Sequence, residues 1–149
     1  MPGNSDIEGA RHTSERLAQS AREEWLRQQR RDAYVNFYNA ARVLFLLLVE
    51  TAEAAAEGNW VRSEEVRQAA RAMGDASGVL AMEATQRILE GADSLSSHIS
   101  NLDNDMRCFD HAAPGSDLRA AGRTWRREIR SIYEESEEWL AHCREELHH

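Results

Sequence analysis

Small and apolar residues recur along the middle of this chain at steps of three and four: Val66, Ala70, Met73, Ser77, Leu80, Ala84, Ile88, Gly91, Leu95, Ile99, Leu102, Met106 and Phe109. Twelve steps cover 43 residues, or 3.58 residues per step, the repeat of an α-helix. Upstream, a second row reads Leu17, Ala21, Trp25, Ala33, Phe37, Ala41, Leu44, Leu48 and Ala55, with Gln29 and Thr51 filling its gaps. Downstream, a third reads Leu118, Ala121, Trp125, Ile129, Ile132, Tyr133, Ser136, Trp139, Leu140, Cys143 and Leu147. No proline stands between Gly3 and Ala113, so nothing in that stretch forbids long helices.

Turn and capping residues divide the rows. Thr13 or Ser14 caps the start of the first helix and Gly58-Asn59 stops it. Residues 1–12 are then a disordered arm and residues 13–149 a single helical-bundle domain. Ser63 ahead of Glu64 and Glu65 suits the positive N-terminus of the next helical region, which runs to Phe109–His111. Gly74-Asp75-Ala76-Ser77-Gly78 interrupts it, and each glycine costs about 1 kcal/mol against alanine in a helix interior. The stretch predicts a kink or break, with the two pieces collinear because the apolar period reads through. Gly91 reads as a close-packing position or a further bend. Asp110–Asp117 is a loop with Pro114-Gly115, and Ser116 caps the last helix, which ends at Leu147. Short connections make sequential helices antiparallel. The expected fold is all-α: an elongated antiparallel bundle of three long helices, the middle one kinked or broken near Gly74–Gly78 and then counted as two. In that arrangement the first and last helices run parallel and begin at one end.

The chemistry is sparse. All 18 basic residues are arginine, and the net charge is −8, which weighs against bulk binding of nucleic acid or anionic membranes. The most apolar run, Val43 to Val49, has seven residues, short of a membrane span, and residues 1–11 lack a signal-peptide core. A cytoplasmic location follows as the expectation. Cys108 and Cys143 fall at different heights of the bundle, so two free thiols are expected.

The parallel arrangement of first and last helices brings two basic segments to one end. Arg22, Arg27, Arg30 and Arg31 on the first helix would join Arg123, Arg126 and Arg127 on the last, a possible site for phosphate or nucleic acid. A solvated face with ion pairs at helical spacing explains the same residues and is the favoured reading. Trp25 and Trp125 fall on apolar rows and are expected in the core, whereas Trp60 sits at a turn and is a candidate interface residue. Metal or cofactor binding is not expected. Glu145-x-x-His148 has di-iron spacing but lies at the very end of the last helix, Glu138 and His142 have no matching pair on a second helix, and Asp103-Asn104-Asp105 continues without a calcium loop's glycine. Cys108, Asp110 and His111 are close in sequence but lack an orienting third group, and no phosphate loop or nucleophile elbow occurs.

The segment Trp25-Leu26-Arg27-Gln28-Gln29-Arg30-Arg31-Asp32-Ala33-Tyr34-Val35-Asn36-Phe37 has the form W-L-R-x-x-R-x-x-A-Y-x-x-F. It resembles a diffuse group of small helical proteins from high-GC Gram-positive bacteria. The resemblance implies a helical fold, with Tyr34 and Phe37 as packing residues, and no activity. The leading expectation is a non-enzymatic interaction or scaffold protein that self-associates or binds another protein. Helix 1 is apolar on more than one side from Val43 to Val49, more than a small bundle covers. A nucleic-acid or phosphate-binding regulator using the arginines is one alternative. A small acidic inhibitor or immunity-type protein presenting Glu134, Glu135, Glu137 and Glu138 is another.

Overall fold

The computed structural model describes residues 3–110 and 117–148, with side chains from residue 6 to 109 and from 117 onward. Among the described residues the secondary structure is helical: α1 (Gly3–Ala56), α2 (Val66–Glu83), α3 (Gln86–Asp110) and α4 (Leu118–Leu147). The expected cap at Ser116 and the heart of the preceding loop lie outside the described residues. Asp117 caps α4 instead, its side chain accepting from the Ala120 amide at 3.0 Å.

Four contacts fix the directions. At the far end of α2, the Glu83 carbonyl accepts from Arg30 Nε at 3.2 Å, so α2 runs back down α1. Trp60, just beyond the end of α1, packs on Phe109 at the end of α3, so α3 climbs beside α1. The start of α4 lies against the end of α1 at Gly122, and its end returns to Tyr34, whose hydroxyl donates to Glu146 at 2.9 Å. The result is an up-down-up-down four-helix bundle in which α1 lies mainly against α2 and α4.

This corrects two expectations. The chain does not break at Gly74–Gly78; α2 passes through both glycines, which are exposed with open space where a Cβ would stand. It breaks at Ala84-Thr85, where Ala84 is extended (φ −83, ψ 153), and α2 and α3 form a hairpin rather than a collinear pair. The turn is so short that Leu80, Ala84 and Ile88 keep four-residue steps across it, and the sequence period runs on unbroken although the chain reverses. With one more reversal in the chain, the first and last helices are antiparallel, not parallel.

The stop after α1 is as expected: Gly58 has φ 88, in the left-handed region, and its amide bonds the Ala55 carbonyl at 2.9 Å. Every residue of the Val66–Phe109 row is buried or half-buried. Phe37, Leu44 and Leu48 of α1 meet Leu80, Ile88, Leu95, Ile99, Leu102 and Met106 in a single core. Gly91 is a close-packing position, because a Cβ there would stand 2.8 Å from Trp139 Cδ1. At the α3 end, buried Asp103 pairs with Arg62 from the α1–α2 connection and with Arg107 at 2.9 Å, which offsets the cost of burying its charge.

Candidate interaction surface along helix α1

Helix α1 is far longer than the bundle it belongs to. Its 54 residues span about 80 Å at 1.5 Å per residue. The bundle begins near Ala33, and every residue from Asp6 to Gln28 is exposed. Side-chain bonds in this half stay within the helix: Thr13 Oγ1 donates to the Gly9 carbonyl at 2.9 Å and Gln19 to Glu23 at 3.3 Å. Thr13 therefore bonds backwards inside a helix rather than capping its start, and α1 begins at Gly3, not near residue 13. No proline or β-branched run from residue 3 onward opposes helix, and elongation from an existing helix carries no nucleation cost.

Leu17, Ala21 and Trp25 were expected on the core row, yet Leu17 and Trp25 are 67% and 60% exposed. Five successive four-residue steps join Leu17 to Phe37, and each overruns a helical turn by about 40°. The row therefore swings from the outward side of α1 to the inward side as it enters the bundle. A different row keeps its phase along the outward side: Ile7, Ala10, Ser14, Leu17, Ala21, Trp25, Gln28, Asp32, Val35, Asn39, Val43 and Leu46. Eleven steps over 39 residues follow one face, and all twelve residues are exposed. Beside its upper part, Tyr38, Phe45, Leu46, Ile132 and Tyr133 line an apolar cleft of about 120 Å³ between α1 and α4, with Arg42 and Glu137 its charged members.

One 18-residue window of α1 passes for a membrane span by length and composition, and 33% of it is buried inside the bundle. The same helix supplies Phe37, Leu44 and Leu48 to the core.

The candidate arginines do not gather. Arg22, Arg27, Arg30 and Arg31 lie on α1 at or below the foot of the bundle, where Arg27 pairs with Glu24 at 3.5 Å and Arg30 bonds the end of α2. Arg123, Arg126 and Arg127 lie at the opposite end, where Arg126 pairs with Glu53 at 2.7 Å. The antiparallel course of α1 and α4 separates the two groups. Trp60 is half-buried against Phe109 and Trp125, at ring-centroid distances of 5.6 and 6.0 Å, and closes the end of the core.

A polar knot holds the foot of the bundle. Glu146 of α4 accepts from Tyr34 of α1 and from Thr85 in the α2–α3 turn, so one carboxylate ties three segments. Burial and the Glu146 contact push the Tyr34 phenol up to about 12. Burial first, and the Glu146 charge second, push the neighbouring Cys143 thiol to about 12, so it stays protonated and inert. Cys108 is exposed at the other end, and neither cysteine is bridged. On the α3–α4 seam, Glu135 accepts from Ser94 at 2.7 Å and meets His98 at 2.5 Å, while Arg87 donates to His142 at 2.6 Å. Among the described residues no three His, Cys, Asp or Glu side chains form a metal-binding group; His111 lies outside them.

The sequence reading missed the outward row, the Ala84-Thr85 turn and the roles of Glu146 and Asp103. For the outward row a signal existed, since its spacing is regular, but the stronger inward row drew Leu17 and Trp25 to itself. No protein-family model, curated protein or solved structure matches the chain.

Proposed function

We propose that this protein is a non-enzymatic helical-bundle scaffold that associates with protein partners through α1. One observation carries the reading: residues 6–28 continue a bundle helix into open space with Ile7, Leu17 and Trp25 exposed along it. Apolar side chains regularly spaced on a free helix lower their free energy by covering one another's surface, at roughly 1.5–3 kcal/mol for a fully buried large side chain. The two thiols, one buried and one at the far end of the bundle, suit a reducing compartment such as the cytoplasm. The separation of the arginines takes support from a nucleic-acid site, which needs them together.

The test compares the full chain with one lacking residues 1–20, both tagged and purified from host cells at low and moderate salt. The full chain is expected to retain a stoichiometric protein partner, itself or another, at both salts. The shortened chain is expected to lose it while keeping its bundle helicity, because residues 6–20 are exposed and lie clear of the core. Equal retention by both chains, or retention of nothing but nucleic acid lost as salt rises, overturns the reading.

A further inference from the structure

We infer that the outward row of α1 is the contact surface for a second copy of this chain, packed antiparallel with the two-fold axis between Leu26 and Arg27. The inference rests on the reading of α1 as an association element. Five of the six pairs in the row are spaced symmetrically about that point, and Leu17 with Val35 falls one residue off, so reversing one helix brings the row against itself. Ile7 then meets the second copy's Leu46, Ala10 its Val43, and Leu17 its Val35, apolar on apolar. Ser14 meets Asn39, polar on polar, and Trp25 and Gln28 pair beside the axis.

The charges agree with the same register. Arg22 comes within one residue of the level of the second copy's Asp32, and Glu24 within two residues of the level of its Arg31, inside the reach of these side chains, each pair occurring twice by symmetry. Asp32 otherwise stands over Ala21, and Arg22 next to that alanine supplies its counter-charge. A parallel in-register pair would instead set every charge against its own copy, and flanking charges are what decide orientation in paired helices. Length agrees as well. Residues 3–26 of one copy span the same distance as residues 27–50 of the other, so each projecting half covers Val35, Val43 and Leu46 of the other copy's bundle. Those three are exposed in the single chain. The two bundles stand at opposite ends of the pair, on opposite sides of the paired helices.

Disulfide trapping tests orientation and register together, in a Cys108→Ser background that removes the exposed native thiol. The double variant Leu17→Cys/Val35→Cys is expected to form covalent dimers under mild oxidation. Leu17→Cys alone is expected to remain unlinked, since the antiparallel register sets the two copies of residue 17 about 28 Å apart. Sedimentation equilibrium of the unsubstituted chain should show a dimer, and Leu17→Asp should raise its Kd about tenfold or more. Residue 17 contacts nothing in its own bundle, so that change leaves the fold intact. Linking of Leu17→Cys alone, or a chain monomeric throughout the micromolar range, overturns the inference. A monomer that still captures a different protein through residues 1–20 leaves the association reading standing; loss of both removes it too.

Discussion

Gly122→Ala is expected to destabilise the bundle by about 3 kcal/mol or more, the upper part of the range for overpacking a core. A Cβ at this position would stand 2.3 Å from the Ala56 amide nitrogen and 2.8 Å from the Ala55 carbonyl carbon. These are backbone atoms of a neighbouring helix, and no rotamer change relieves them. The end of α1 and the start of α4 must move apart by more than 1 Å for ordinary contact to be restored. Trp125, held between them with Trp60 and Phe109, loses its packing as they do. At roughly 2–4 °C per kcal/mol for a chain of this size, the thermal midpoint falls by about 6–12 °C or more. Thermal unfolding followed by circular dichroism reads this directly. A midpoint within about 2 °C of the parent would show that the helices do not approach this closely.

Trp139→Ala is expected to cost about 4–5 kcal/mol, at the top of the range for deleting a buried aromatic side chain. The indole is 3% exposed and stands edge-on to Phe37 at 5.1 Å and Tyr34 at 6.2 Å, which joins α4 to α1. Its Nε1 donates to the Ile88 carbonyl at 3.0 Å, and its ring fills the space left by Gly91, which joins α4 to α3. No neighbour can collapse into the gap without pulling one helix from another. Against a total stability of about 5–15 kcal/mol, this leaves a marginal fold. Trp139→Phe keeps the ring contacts and loses the hydrogen bond, so it should cost less than half as much in urea denaturation. A loss below about 1 kcal/mol for Trp139→Ala would place this side chain outside the core.

Helix identity was legible because burial in a bundle imposes a 3.6-residue period, and Val66 to Phe109 obeys it throughout. Topology was not, because a two-residue turn that preserves phase leaves no mark on that period. Glycine drew attention to Gly74 and Gly78, yet an exposed glycine weakens a helix without stopping it, while Ala84-Thr85 ends one with no unusual residue type. The error propagated to function. Placing the first and last helices parallel joined Arg22–Arg31 with Arg123–Arg127, and the hairpin at Ala84 parts them. Trp25 was misplaced for a different reason: the four-residue steps that connect it to Phe37 turn slowly round the helix, so one row of apolar residues serves two sides. Cys143, Trp125 and Trp139 fell where the row of α4 put them, because that row keeps its phase along the helix, with Tyr133 the one exposed member.

On the proposed dimer, the projecting half of α1 is packed against a second copy. Hydrogen exchange of the amides of residues 6–26, measured on the full chain at two concentrations either side of dimer formation, tests it most directly. A lone helix half in water frays and exchanges quickly, whereas one packed on another copy is held closed. Slow exchange is expected across residues 6–26 at the higher concentration and rapid exchange on dilution, with the bundle half of α1 protected in both. Equally rapid exchange of residues 6–26 at both concentrations would contradict it.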